Sequence, residues 1–146
     1  MVVFWLIEGY YPLTSFSWKR YKHAGINLLF LLTTLILNLL LGAITIKACD
    51  WVTKNDFGLL NWLDLPLSAN IILGLFFMDF FSQYAPHYTM HKVKWMWKFH
   101  MIHHSDTKVD VTTGTRHHPG EWVWRESTTI IGVFAIGLPI GMYFLY

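Results

Sequence analysis

Three long apolar runs, separated by shorter polar segments, dominate the hydropathy pattern of the chain. The first run, 24–46, has no charged residue, the second, 65–86, has only Asp79, and the third, 127–146, has none. A bilayer core about 30 Å thick is crossed by roughly 20 helical residues. The pattern therefore predicts an all-α integral membrane protein, with spans at about 24–46, 65–86 and 127–146.

The composition supports a membrane protein and argues against nucleic-acid binding. Hydrophobic residues make up 54% of the chain and charged residues 14%, whereas a soluble domain has about 25% charged residues. The net charge is +2, which is too small to indicate a nucleic-acid partner. Cys49 is the single cysteine, so the sequence offers no intrachain disulfide and no cysteine-based metal site.

The distribution of Lys and Arg predicts the orientation. Nine of these residues lie before the first run or between the second and third, and only Lys47 and Lys54 lie between the first and second. Basic residues concentrate on the cytoplasmic side of membrane proteins. We therefore expect the segment 87–126 to form a cytoplasmic cap.

Histidines are concentrated in this predicted cap. Seven of the eight fall between positions 87 and 118, and only His23 lies elsewhere. They form an HxxxH motif, an HxxHH motif and an adjacent pair: His87 and His91; His100, His103 and His104; His117 and His118. Residues three or four positions apart share one helix face, so each of the first two motifs should present its imidazoles together.

Two such faces can converge on a metal centre. Neutral imidazole binds iron, zinc, copper and nickel. The candidates exceed the needs of one ion, so we predict two. His118 is a better candidate than His117, because adjacent helical residues point in different directions and both need not reach the metals. The predicted metal ligands are His87, His91, His100, His103, His104 and His118.

Asp79 is the one charged residue within a predicted span, where a charge is costly and usually functional. It precedes His87 by eight residues, about 12 Å along a helix. We therefore expect Asp79 to hydrogen-bond a metal-bound histidine of another segment. Gln83 lies one turn from both residues and is placed to bridge them.

The stretch from Asp79 to Glu121 resembles the fatty acid hydroxylase superfamily, which includes sterol desaturase-like enzymes. The pattern of that superfamily runs roughly D-x-x-x-Y-x-x-H-x-x-x-H, then W-x-F-H-x-x-H-H-S, then R-x-H-P-x-E. The matching residues are Asp79, Tyr84 (one position off), His87, His91, Trp97, Phe99, His100, His103, His104, Ser105, Arg116, His118, Pro119 and Glu121.

The resemblance implies two iron ions (zinc as purified is an alternative), O2 as co-substrate, and hydroxylation or desaturation of a fatty acyl or sterol-like lipid drawn from the bilayer. It also implies an external electron donor, either a ferredoxin or a cytochrome b5-type protein with its reductase. The segment 106–113 is similar to the bacterial branch, so a bacterial inner membrane is expected rather than the endoplasmic reticulum.

The chain departs from the superfamily pattern in one important respect. Members carry a further histidine cluster after the third span, whereas this sequence ends at Tyr146. We therefore expect 1–146 to be a single, C-terminally truncated domain of this type that turns over slowly or not at all by itself.

Other functions remain open at this point. An acyl-lipid desaturase shares the HxxxH and HxxHH motifs, although the segment 116–121 favours the hydroxylase superfamily. A catalytically inert metal-binding membrane protein is the alternative from another class. A metalloprotease is disfavoured because HExxH does not occur. A b-type cytochrome is also disfavoured, because it would place histidine pairs inside facing spans, whereas the histidines here lie outside the apolar runs.

Overall fold

The structure, a computed structural model, describes residues 2–11 and 18–146. The side chains of Lys19 and Arg20, which enter the charge count above, lie outside this description. The described residues form helices and no strands, so the all-α prediction is confirmed. The helical elements, in chain order, are α1 (Val2–Tyr10), α2 (Trp18–Lys54), α3 (Leu59–Trp62), α4 (Leu67–Asp79), a π turn (Phe80–Tyr84), α5 (Ala85–Lys92), α6 (Lys94–His104), a 3-10 turn (Thr113–Thr115), α7 (Pro119–Ile136) and α8 (Ile140–Leu145).

The segment Tyr21–Trp62, which is mostly α2, is long and apolar enough to cross a membrane, and it is the one such segment among the described residues. Only 11% of its most apolar window is buried within the chain. Leu39, for example, is 79% exposed. Because an apolar surface of this extent is unfavourable in water, α2 is suited to a lipid environment.

The second predicted span corresponds to a helical column made of α4, the π turn and α5. The column begins after Pro66 and ends at Val93, whose extended backbone separates α5 from α6 by a single residue. The last element of the column, α5, extends past residue 86, so the column carries His87 and His91 as well as the apolar run.

The third apolar run does not form one helix. α7 ends at Gly137, which adopts a left-handed conformation (φ 78°) and donates its N–H to the carbonyl of Val133. Pro139 then precedes the short helix α8. A glycine in this conformation is a common helix terminator, and proline cannot continue the preceding helix, so the break follows from the sequence Gly137-Leu138-Pro139.

Helix α7 is central to the packing. It contacts α2, α4, the π turn, α5 and α6. At the π turn the approach is close: a Cβ at Gly132 would lie 2.7 Å from the Cβ of Phe81. The Thr129 hydroxyl also donates to the Ser82 hydroxyl at 3.1 Å. These contacts hold the column against the helix that carries Glu121.

A backbone contact between Gly58 and Gly137 closes the end of the bundle that is remote from the histidines. Gly58 has a φ of 106°, and a Cβ there would lie 2.2 Å from the backbone nitrogen of Gly137. Asn61 donates through its side chain to the carbonyls of Phe57 and Gly137 at 2.8 and 3.2 Å.

We expect Gly58→Ala to destabilise the fold by about 2 kcal/mol or more, because the new methyl group meets backbone that cannot move aside and the φ is unfavourable for alanine. Thermal unfolding in detergent is the measurement. Gly42→Ala is the matched control, since nothing lies within 4 Å of its Cβ position in α2. Equal melting temperatures for the two variants would contradict the prediction.

Candidate metal centre

The π turn sets the direction in which the first histidine motif points. The N–H of Ala85 reaches back five residues to the carbonyl of Phe80, which makes this turn wider than an α-helical one. In an uninterrupted α-helix, residues four apart drift by about 40° at each step. The wider turn offsets this drift, and π turns occur often at functional sites. As a result, His87 and His91 line the same cavity wall as Asp79 and Gln83.

Four imidazoles meet where α5 and α6 pack together. The Nε2 atoms of His87 and His91 are 3.2 Å apart, and those of His91 and His100 are also 3.2 Å apart. The Nε2 atoms of His100 and His104 are separated by 3.1 Å. The ligand atoms of His87, His91 and His100 all lie within 4.8 Å of one another. The two sequence motifs therefore converge, an arrangement that their spacing allows.

This arrangement suits a metal ion better than it suits hydrogen bonds among the rings. Each Nε2 carries either one hydrogen or one lone pair. The four rings form a row in the order His87, His91, His100, His104, with three Nε2–Nε2 contacts. Because each Nε2 can take part in one linear hydrogen bond, at least one of these contacts has none. Burial lowers the pKa values of His87 and His100 below the usual 6.5, which keeps the rings neutral. Neutral rings with converging lone pairs are what a metal ion requires.

A second pair of histidines lies beside the first group. The rings of His103 and His117 stack with their centroids 4.5 Å apart and their planes 10° from parallel. His103 is also next to His100, at a centroid distance of 5.8 Å. The structure thus brings His117, the less favoured member of the adjacent pair, to the histidine cluster.

His118 is placed differently. It is the N-cap of α7, and its Nδ1 accepts the N–H of Gly120 at 3.0 Å. Its ring stacks on Phe99 at 4.8 Å. With Nδ1 accepting this bond, a neutral ring carries its proton on Nε2, and neither nitrogen is free for a metal ion in this arrangement. The predicted ligand set as a whole remains a prediction, but this geometry favours His117 over His118.

Glu121 links the two groups of histidines. Its side chain is fully buried, with Oε1 3.1 Å from His117 Nδ1 and 3.2 Å from Arg125 Nε. Its Oε2 lies 3.2 Å from His100 Nδ1, in contact but outside hydrogen-bond geometry. Burial alone raises the pKa of this carboxyl, but the bond with His117, the closeness of His100 and the charge of Arg125 bring the pKa down to about 2. Glu121 is therefore a buried carboxylate that bonds the His117 ring and lies against the His100 ring.

The carboxylate that contacts the histidine cluster is thus Glu121, a residue that matches the superfamily pattern but to which the sequence assigned no separate role. Its spacing held a usable signal, because Glu121 lies four residues after His117 and four before Arg125. The structure places Asp79 on the cavity wall, with Gln83 between it and His87. Gln83 accepts a bond from Arg125 at 2.5 Å. The role of Asp79 as a partner of a metal-bound histidine remains a prediction.

The loop that leads to His117 is fixed to α2. His23 contacts Asp106 at 3.0 Å between Nε2 and Oδ2. Fully buried Asn27 donates to the Thr112 hydroxyl at 2.9 Å. The isolated histidine of the sequence therefore holds this loop to α2, through a contact between residues 83 positions apart that no local pattern indicates.

Acid should loosen the metal-free cap in two stages. The pKa values of His87, His100 and His103 are lowered in the folded protein, chiefly by burial. Their stabilising contribution is therefore complete above pH 6.5 and falls as the pH drops below it. The contribution of Glu121 is complete above pH 4.5 and is lost as the pH falls towards 2. Near-ultraviolet circular dichroism of the metal-free protein in detergent measures both stages. A signal that stays constant from pH 7 to 4 would contradict the first.

The geometry of the described residues defines a class: a helical protein that contains a helix suited to a membrane and a histidine-rich site able to hold metal. The fatty acid hydroxylase family model matches residues 71–146, which contain every histidine of the cluster. The chain belongs to the fatty acid hydroxylase family. Comparisons with curated proteins and with solved structures give no match.

Proposed function

We propose that the protein is a membrane-bound oxidoreductase that uses a non-haem di-iron centre and O2 to hydroxylate or desaturate a fatty acyl or sterol-like lipid. The observation that carries the proposal is the convergence of the Nε2 atoms of His87, His91, His100 and His104 in a chain of this family. Family membership supports the reaction class, and the ring geometry supports the metal.

The residues divide into two groups around the proposed centre. His87, His91, His100 and His104 would hold one ion, and His103 and His117 would contribute to the second. Iron, when bound, supplies the activation of O2 that removal of an unactivated C–H hydrogen requires. With metal bound, Glu121 would hold the rings of His100 and His117 through their Nδ1 atoms, so that Nε2 of each remains available.

A cavity of about 490 Å³ lies against His87 and His91 and would receive the lipid. Its wall includes Tyr84 and Tyr88, whose rings stack at 6.1 Å along the column. Aromatic side chains give this wall an apolar surface, and Arg125 supplies a charged group at the same cavity. An alkyl chain or a fused-ring lipid suits such a surface.

The test of this proposal combines metal analysis with turnover. The protein is purified with iron and supplied with O2, ferredoxin, its reductase, NADPH and a lipid extract, and oxidised lipid is sought by mass spectrometry. Oxidised product that disappears on His91→Ala supports the proposal. Bound metal without oxygen consumption would favour the inert metal-binding protein, and a C=C bond rather than a hydroxyl would identify a desaturase.

We also propose that the cap faces the cytoplasm, because nine of the eleven Lys and Arg residues lie on that side of the predicted spans. With Cys49 replaced by Ala, a single cysteine at Lys108 should react with a membrane-impermeant reagent only from the cytoplasmic side. A cysteine at Lys54 should react only from the opposite side. Labelling of both positions from one side would contradict this topology.

A further inference from the structure

Trp97 connects the histidine cluster to the protein surface. Its ring centroid lies 5.3 Å from that of His91, 5.7 Å from that of His104 and 6.0 Å from that of His100. The indole and the His104 ring are nearly parallel, at 28°. Trp97 is nevertheless 37% exposed. One side chain therefore touches three rings of the candidate centre and also the surroundings of the protein.

Positive charge lies next to the exposed edge of Trp97. Lys94 and Lys98 are both exposed, and they lie three residues before and one residue after Trp97 in α6. Met101, 45% exposed, is one turn further along the same side. The side chains of Lys94, Trp97, Lys98 and Met101 are called the Trp97 face below. No Asp or Glu occurs between Asp79 and Asp106, so no acidic residue of this stretch offsets the charge.

The proposed reaction requires electrons that the chain does not supply. Hydroxylation balances as RH + O2 + 2 e⁻ + 2 H⁺ → ROH + H2O, so one oxygen atom enters the lipid and the other is reduced to water. The two electrons must arrive from outside, one at a time where the carrier is a one-electron protein. The entry point has to be accessible to that carrier and close to the metals.

We propose that the Trp97 face is the docking surface for an acidic one-electron carrier protein, and that electrons enter the centre beside Trp97. This inference rests on the proposed function. An aromatic and methionine centre with a cationic rim has the composition of a protein interface. The charge favours an acidic partner, because complementary potentials steer the encounter. Anionic lipid headgroups are the competing occupant, and the test separates them.

The test measures reduction of the iron-loaded protein in nanodiscs made only of phosphatidylcholine. Reduced plant-type [2Fe–2S] ferredoxin, an acidic protein, is the donor, and dithionite serves as a small reductant that needs no docking. The variant Lys94→Glu/Lys98→Glu reverses the charge of the face. The control Lys47→Glu/Lys54→Glu makes the same change in net charge at the far end of α2.

We expect the rate constant with ferredoxin to fall by about tenfold or more at low ionic strength in Lys94→Glu/Lys98→Glu. The difference from wild type should shrink as salt is added. Dithionite should reduce both proteins equally, and the control should behave as wild type. Trp97→Phe should lower the rate at which bound ferredoxin reduces the iron. The ferredoxin concentration that gives half of the maximal rate should not change, because the lysines remain.

Three results would overturn the proposal. One is an unchanged ferredoxin rate in the charge-reversed face. Another is an equal loss with dithionite, which would show damage to the site rather than to docking. The third is a loss that appears only when anionic lipid is added, which would assign the lysines to headgroups. Failure of the wild-type protein to bind iron would count against the proposed function instead. Ferredoxin binding to the metal-free variants, measured by biolayer interferometry, then decides the docking surface alone.

Discussion

His100→Ala should abolish metal binding at the first group of histidines. The Nε2 of His100 lies within 3.2 Å of two other ring nitrogens, and its Nδ1 contacts buried Glu121. The substitution removes a ligand atom from the middle of the row and leaves the carboxylate without one of its partners. We expect a loss of affinity greater than the 10- to 100-fold that follows loss of an outer hydrogen-bonding partner alone. Elemental analysis after dialysis against a weak chelator measures it.

His118 provides the matched control. Asparagine is also a good N-cap, so His118→Asn keeps an acceptor for the Gly120 N–H. We expect this variant to retain its metal, whereas His118→Ala should retain its metal but lose about 1 kcal/mol of stability. Loss of metal in His118→Asn to the level of His100→Ala would restore His118 as a ligand and contradict the geometry.

Glu121→Gln should weaken the centre without removing any predicted ligand. The neutral amide has one acceptor atom in place of two charged ones, so it cannot accept from both His100 and His117. Arg125 also loses its buried counter-charge. Removing one partner of a buried charge pair typically costs 3–5 kcal/mol of stability. Metal affinity or activity should fall by about 10- to 100-fold.

The measurement must separate ring orientation from general damage. Nitrogen NMR of the histidine rings reports which nitrogen carries the proton, and we expect the proton to leave Nδ1 of His100 and His117 in a fraction of the molecules. Glu126→Gln is the control on the same helix. The Glu126 carboxylate accepts a hydrogen bond from the Thr45 hydroxyl at 3.3 Å, and the amide oxygen of glutamine can accept the same bond. A Glu121→Gln variant with wild-type metal affinity and tautomers would show that the carboxylate has no such role.

Short-range sequence patterns were sufficient to predict much of the fold and part of the candidate centre. The apolar run 24–46 predicts the long helix α2, and the spacing of four between His87 and His91 predicts rings on one face. Both outcomes depend on helical periodicity, which a single sequence displays directly. The convergence of the HxxxH and HxxHH motifs, which the sequence only allows, depends on the extended backbone of Val93 between their helices.

The remaining features depend on contacts between distant segments or on backbone geometry that periodicity does not contain. His117 and His118 are adjacent, and the choice between them depends on where α7 begins, since the N-cap residue uses its ring to accept a backbone N–H. Asp79 was the conspicuous carboxylate because of its apolar surroundings. Glu121 was not, because its contact with His100 forms only when α6 packs against α7. The break at Gly137 interrupts a run whose hydropathy is uniform.

The π turn lies between the part of the column that carries Asp79 of the cavity wall and the part that carries His87 and His91. Such a turn corresponds to an α-helix with one extra residue, so loss of one residue from Phe80–Tyr84 would restore an α-helix and rotate all preceding residues by about 100° relative to His87. Asp79 would leave the cavity, while the histidines of α5 and α6 would keep their positions. A one-residue insertion or deletion at this point therefore offers relatives of this protein a way to diverge in substrate choice while the reactive part of the molecule is inherited unchanged.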